Sequence, residues 1–126
     1  MAGLILDSDA LVALMNVSDL HHESIIKRLL EGTDGFSVSV VTYSEALVRS
    51  YETGKQAMMI ERINSLVKEI YEVNSGIAER AAQLRAASKI KLPDALIAAT
   101  AIDKKLTLLT FDEKLAKKTP GAELLL

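Results

Sequence analysis

The sequence predicts an α/β protein with a mainly parallel sheet. Short apolar runs rich in branched residues alternate with longer segments in which apolar residues recur at helical spacing. The length of 126 residues suits one hydrophobic core. A composition of 49% apolar and 25% charged residues is typical of a compact fold. Because the chain contains no repeat, low-complexity tract or linker, we expect a single domain over residues 1–126.

Five short runs have the composition of strands, since they are apolar and dominated by Leu, Ile and Val. Five strands are enough for one sheet. The predicted strands cover residues 4–6, 36–40, 69–73, 106–109 and 123–126.

The segments between these runs have helical periodicity, and glycine or proline residues stand at several of their ends. An alternation of strand and helix is typical of parallel sheets, because parallel strands need crossover connections. The predicted helices cover residues 10–15, 19–31, 43–53, 56–68, 77–89, 94–105 and 113–118.

The composition excludes several classes of site and location. The chain has no cysteine, which excludes disulfide scaffolds, thiolate nucleophiles and cysteine-ligated zinc. The apolar N-terminal segment has no basic region and contains Asp7 and Asp9, which is unlike a signal peptide. No apolar run is long enough to span a bilayer. We therefore expect a cytoplasmic protein without a membrane partner.

The net charge of −2 is not the basic balance expected of a nucleic-acid binder. It does not exclude one, however, because several of the 17 acids could be neutralised by a metal. The 15 basic residues would then outnumber the remaining acids if five acids were neutralised. Aromatic residues make up only 4% of the chain, so a base-stacking platform is not expected. Any nucleic acid would be held by its backbone.

Acidic residues follow predicted strands at the places where ligands gather in parallel sheets, beyond the carboxyl ends of the strands. Asp7 comes directly after the first strand, and Asp112 comes three residues after the fourth. Glu45 lies at the start of the helix that follows the second strand. Asp94 stands behind Pro93 in "LPDALIAATA", after a helix and a short loop, so its spacing alone does not bring it to the same edge.

Helix capping is the alternative interpretation of these acids. The segments "TYSE" (residues 42–45) and "TFDE" (residues 110–113) both fit the capping box, in which a Thr hydroxyl and an acid satisfy free backbone amides. Asp7, Ser8 or Asp9 would serve as a cap for the first helix. Asp94 would simply face the positive end of its helix dipole.

Four motifs in order along the chain resemble those of PIN-domain nucleases, and most closely those of VapC-type toxins from toxin-antitoxin pairs. They are "LILDSDALVALM", "VSVVTYSEAL", "LPDALIAATAI" and "LTLLTFDEKL". By this resemblance, Asp7, Glu45, Asp94 and Asp112 form an acidic quartet, and Thr110 helps to order the site. The resemblance implies a three-layer α/β/α sandwich around the sheet, and a homodimer that binds an antitoxin in a groove beside the site.

The predicted chemistry is metal-assisted hydrolysis of single-stranded RNA. Crowded carboxylates repel one another unless a cation neutralises them, and sites built from oxygen favour Mg²⁺ or Mn²⁺. Such an ion activates a water molecule and stabilises charge on the phosphodiester. We expect Asp7 and Asp94 to be the principal ligands, with Glu45 and Asp112 holding waters or a second ion.

Three further residues are accessory candidates. Asp9 stands where the family more often has Ser or Asn, and would either add a ligand or cap a helix. Ser8 adjoins Asp7. Arg49, one turn after Glu45, would either pair with that acid or reach a phosphate. His21 and His22 are adjacent, so on a helix they diverge by about 100°, and we expect surface positions for both rather than a shared metal.

Two other functions remain open from the sequence. One is an RNA-processing nuclease of the same fold that has no antitoxin. The other is a non-catalytic α/β module that binds RNA or protein and uses its acids only as caps. A small upstream reading frame encoding a DNA-binding antitoxin would favour the toxin.

Overall fold

The computed structural model describes residues 2–32 and 34–126, and this part of the chain contains a sheet of five parallel strands. The order across the sheet is β3-β2-β1-β4-β5. The central pair, β1 and β4, aligns Leu6 with Leu109, so the residues that follow these two strands emerge side by side. The strands are β1 (Leu4–Leu6), β2 (Ser37–Ser39), β3 (Ile70–Tyr71), β4 (Thr107–Thr110) and β5 (Glu123–Leu124).

Helices cover both faces of the sheet, which gives the three-layer α/β/α arrangement expected from the sequence. Neighbouring residues of one strand point to opposite faces. Ile5 and Leu108 accordingly join one buried cluster with α5, α6 and α7, whereas Leu6 and Leu109 join a second cluster with α1, α2 and α4. The helices are α1 (Ser8–Met15), α2 (His22–Leu30), α3 (Val40–Glu52), α4 (Gln56–Leu66), α5 (Ser75–Ser88), α6 (Leu92–Lys104) and α7 (Glu113–Lys118).

Within the described residues, the observed elements match the predicted ones in number and order but differ at their ends. The largest shift that affects the site is in α3, which begins at Val40 instead of residue 43. Ser39 caps this helix, because its hydroxyl accepts a hydrogen bond of 3.1 Å from the amide of Val41. The last strand ends at Leu124 and so leaves the final two residues outside the sheet.

Membrane-spanning helices are not found in residues 2–32 and 34–126, since none of the helices there combines the length and the apolar character that a bilayer requires.

Candidate active site

Asp7 stands where β1 ends and α1 begins. Its carboxylate is almost fully buried, with 3% of the residue exposed. One oxygen, Oδ1, accepts a hydrogen bond of 2.8 Å from the amide of Ala10 and so caps α1. The other oxygen, Oδ2, accepts a hydrogen bond from the hydroxyl of Thr110. Capping and membership of the site are therefore compatible for this residue.

Thr110 links two acids at the end of β4. Its hydroxyl donates to Asp7 and accepts a hydrogen bond of 3.0 Å from the amide of Asp112. Asp112 itself caps α7 through a 3.1 Å hydrogen bond from the amide of Leu115. The capping box expected over residues 110–113 is wrong, because Asp112 takes the cap position and Thr110 is the last residue of the strand.

Glu45 is not a capping residue. Because α3 begins at Val40, Glu45 lies in the second turn of the helix, where the backbone amides are already bonded within the helix. The capping box expected over residues 42–45 is therefore wrong as well. The carboxylate of Glu45 accepts a hydrogen bond from the hydroxyl of Ser8, which joins the starts of α1 and α3.

Asp94 reaches the same edge of the sheet from the first turn of α6. The helix begins at Leu92, with Pro93 in its first turn, which agrees with the expected role of the proline. Asp94 is half-buried, and it is not the cap of its helix, because the N-cap residue of α6 is Lys91.

A single open cleft of about 370 Å³ brings the predicted acids together. Arg49 lies outside it, on an adjacent groove, and within the described chain it forms no ion pair with Glu45. Thr110 is buried behind Asp7. The acidic side chains and the hydroxyl that line the cleft are Asp7, Ser8, Asp9, Glu45, Asp94 and Asp112.

Burial and neighbouring charges raise the pKa values of two cleft acids, Asp7 and Asp94. Burial raises the pKa of Asp7 to about 6, and the negative charges of Asp9 and Asp94 add to the rise, while the bond from Thr110 opposes it. Burial also raises the pKa of Asp94 above its usual value. The next contributors to that rise are the charges of Asp112 and Glu45. The cleft thus favours a cation that would neutralise its acids.

The donor set of the cleft fits a hard divalent cation that keeps part of its water shell. All the candidate ligands are carboxylate or hydroxyl oxygens, the donors that Mg²⁺ and Mn²⁺ prefer. Among residues 2–32 and 34–126, no three His, Asp or Glu side chains are placed so that together they could hold one metal ion. Mg²⁺ typically takes only one or two carboxylates and completes its octahedron with water and substrate oxygens. An open cleft suits that coordination.

The two histidines lie away from the cleft, but the expectation that both are surface residues is wrong. Each is half-buried. The ring of His21 stacks on Phe111 with centroids 4.2 Å apart, and Nδ1 of His22 is 2.7 Å from the carbonyl oxygen of Ala13. Both rings therefore help to pack the start of α2.

One cleft residue, Lys114, was missed by the sequence analysis. It lies in the first turn of α7, two residues after Asp112, and lines the cleft together with Lys89 and Lys91. Its position next to a candidate acid, on the helix that this acid caps, was the available signal.

The chain belongs to the PIN domain family, whose family model matches residues 4–119. No curated protein sequence is significantly similar to the chain. Solved structures are similar over almost the whole length. A toxin-antitoxin complex from Klebsiella pneumoniae has 26% identity and a TM-score of 0.80, with 96% of each chain covered.

Two further structures share the fold at lower identity. FitAcB from Neisseria gonorrhoeae has 21% identity and a TM-score of 0.78, with 96% of each chain covered. VapC20 from Mycobacterium tuberculosis, described as a toxin that cleaves the sarcin-ricin loop, has 14% identity and a TM-score of 0.72. That match covers 91% of this chain and 94% of VapC20.

Proposed function

We propose that the protein is a Mg²⁺- or Mn²⁺-dependent endoribonuclease that hydrolyses single-stranded RNA, and that it is the toxin of a toxin-antitoxin pair. The observation that carries this proposal is the convergence of Asp7, Glu45, Asp94 and Asp112 on one cleft from four separate parts of the chain. Membership of the PIN domain family and the similarity to a toxin-antitoxin complex support it.

The acids divide into two groups by burial. Asp7 is buried and held by two hydrogen bonds, and Asp94 is half-buried, so these two would be the principal ligands. Glu45 and Asp112 are exposed and would orient water molecules or help to hold a second ion. The bound cation would supply Lewis-acid activation of water and charge neutralisation at the phosphate.

RNA is the substrate that the similarities favour. VapC20 is described as a toxin that cleaves the sarcin-ricin loop, and an open cleft can admit a flexible strand. The test is to incubate the purified protein with a mixed panel of single-stranded RNAs and Mg²⁺ or Mn²⁺, with and without EDTA. We expect cleavage that requires the metal. Cleavage that persists in EDTA, or no cleavage of any RNA with metal present, would contradict the proposal.

A groove between α1, α3 and α4 is the surface that we propose for the antitoxin. It is lined by apolar side chains, including Val12, Met15 and Met58, and also by Arg49. The groove shares Asp9 and Glu45 with the cleft, so a segment bound there would end beside the catalytic acids. Co-purification of the product of an adjacent reading frame, and loss of that complex in Met58→Glu, would support this site. An unchanged complex would contradict it.

A further inference from the structure

Three lysines line the acidic cleft, and none of them forms a close ion pair with another described residue. Lys89, Lys91 and Lys114 are all exposed and line the same cleft as the carboxylates. Among the residues that the structure describes, none of the three has an acidic oxygen within 4.0 Å of its ammonium group. The positive charge of Lys91 opposes the rise in the pKa of Asp94, but no close ion pair among these residues holds any of the three ammonium groups away from a ligand.

The connection that carries two of these lysines is held in a defined shape. Arg85, in the last turn of α5, donates hydrogen bonds of 3.1 Å to the carbonyl of Lys89 and 2.8 Å to that of Ile90. Ile90 is buried in the core with 4% exposed. Lys91 is the N-cap residue of α6. The hydrogen bonds from Arg85, the burial of Ile90 and the start of α6 together fix the backbone of this connection.

Lys89 also adopts a conformation that a lysine normally avoids. Its φ of 58° places it in the left-handed region, which is costly for an L-residue and which glycine adopts freely. Glycine is the usual residue where a helix ends in this way. The backbone conformation at this helix end therefore does not itself require a lysine.

We infer that Lys89, Lys91 and Lys114 form a phosphate-binding rim, which holds the RNA backbone beside the bond that is cut. This inference rests on the proposed function, because it takes a nucleic acid as the substrate. The rim comes from the α5–α6 connection and α7, the side of the cleft that also carries the exposed acid Asp112. The other two exposed acids, Asp9 and Glu45, come from α1 and α3. The strand would therefore follow the lysine side of the cleft.

Phosphate binding by lysine is an electrostatic interaction that salt weakens in proportion to the number of contacts. For single strands, the slope of log K against log salt concentration is about −0.7 per neutralised phosphate. We expect replacement of all three lysines by glutamine to make this slope shallower by about 2. Fluorescence anisotropy of a short labelled RNA, titrated in EDTA so that no metal-dependent cleavage occurs, measures the slope.

The chain provides a matched control for Lys89. Lys105 is also a left-handed lysine after a helix, with φ 56°, but it does not line the cleft. Lys89→Gly and Lys105→Gly each remove one charge and relieve the same backbone conformation. We expect only Lys89→Gly to weaken RNA binding and to reduce the salt slope by about 0.7. Equal effects of the two variants on RNA binding and on the salt slope would contradict the inference of a phosphate-binding rim.

Cleavage assays separate this inference from the proposed function. In Mg²⁺, the rim predicts that the triple variant has a raised KM and a largely retained kcat, since the lysines hold the strand and do not bind the metal. A parent that cleaves RNA while the triple variant keeps its KM and salt slope would refute the rim alone. A parent that cleaves no RNA would refute the nuclease. A parent that fails to bind RNA at low salt would also refute the rim.

Discussion

At the scale of single residues, Asp7 shows how a buried carboxylate can both cap a helix and serve a site. Its pKa of about 6 in the fold lies above the value of 3.8 for the free side chain, mainly because of burial. Between about pH 4 and pH 6, the folded metal-free protein therefore holds a proton on Asp7 that the unfolded chain has lost. The free energy of unfolding falls as the pH rises through this window. A shift of this size corresponds to roughly 3 kcal/mol. A bound cation would offset that loss.

Thr110→Val tests the hydrogen bond that keeps Asp7 ionisable. Because this bond lowers the pKa of Asp7, its loss should raise that pKa further. The increase in melting temperature caused by Mg²⁺ should then disappear at a higher pH than in the parent. We also expect a loss of stability of about 1–3 kcal/mol, since the amide of Asp112 loses its acceptor.

Thr100→Val is the control for this substitution. Thr100 is also buried, but its hydroxyl donates to the carbonyl of Leu96 within α6. Its replacement should leave the pH dependence of the metal effect unchanged. Melting curves of both variants across pH 5–8, with and without Mg²⁺, make the comparison. A parent-like pH profile in Thr110→Val would show that this hydrogen bond does not tune Asp7.

Glu45→Gln separates catalysis from structure at an exposed position. A glutamine carbonyl can still accept the hydrogen bond from Ser8, so stability should stay within about 0.5 kcal/mol of the parent. RNA cleavage should collapse, because the charge near the metal is lost. Glu52→Gln, at the exposed end of the same helix, should keep full activity. An active Glu45→Gln protein would remove this residue from the catalytic set.

At the scale of elements, the sequence predicted the order of strands and helices but not the hydrogen bonds at their ends. Periodicity reports burial, so it located the apolar runs correctly. Several hydroxyls and carboxylates lie near each helix start, and the sequence does not show which of them accepts the hydrogen bond from a free backbone amide. Ser39 caps α3, and Asp112 caps α7. The hydroxyls of Thr42 and Thr110 instead form hydrogen bonds with Ser8 and Asp7, respectively.

Helix α3 also exposes apolar side chains that we propose as part of a homodimer interface. Val48 is 57% exposed and Tyr51, one turn later on the same face, is 62% exposed. We expect a dimer by light scattering at tens of micromolar, a range in which association with a Kd near ~1 μM is largely complete. Tyr51→Glu should shift the protein to a monomer without unfolding it, which circular dichroism can check. A monomeric parent would contradict the proposal.

At the scale of the whole molecule, the site depends on contacts between distant parts of the chain. Asp7 and Thr110 form a hydrogen bond because β1 pairs with β4. The resemblance to PIN-domain motifs predicted that Thr110 belongs to the site, which the spacing of residues along the sequence did not. Asp94 follows no strand at all. It reaches the cleft because α6 packs against both α3 and β4, an arrangement that no local pattern in "LPDALIAATA" encodes.

Asp94→Asn distinguishes membership of the site from a helix-start role. An acid that only faces the helix dipole would stabilise the protein by about 0.3–1 kcal/mol, so its loss would destabilise the protein with or without metal. The structure instead places Asp94 in a half-buried position, which raises its pKa, and among like charges that raise it further. We therefore expect the variant to be as stable as the parent, or more stable, in EDTA at neutral pH.

Metal should reverse the ranking of parent and variant. A cation that binds only the folded state stabilises it by about 2.7 kcal/mol at ~100 times its Kd, and this gain should shrink or vanish in Asp94→Asn. Asp103→Asn is the control for the metal shift, because Asp103 lies on the same helix but outside the cleft. Melting curves in EDTA and in excess Mg²⁺ or Mn²⁺ measure both effects. A variant that loses stability in EDTA yet keeps the full metal shift would remove Asp94 from the site, because its charge would then serve only the helix.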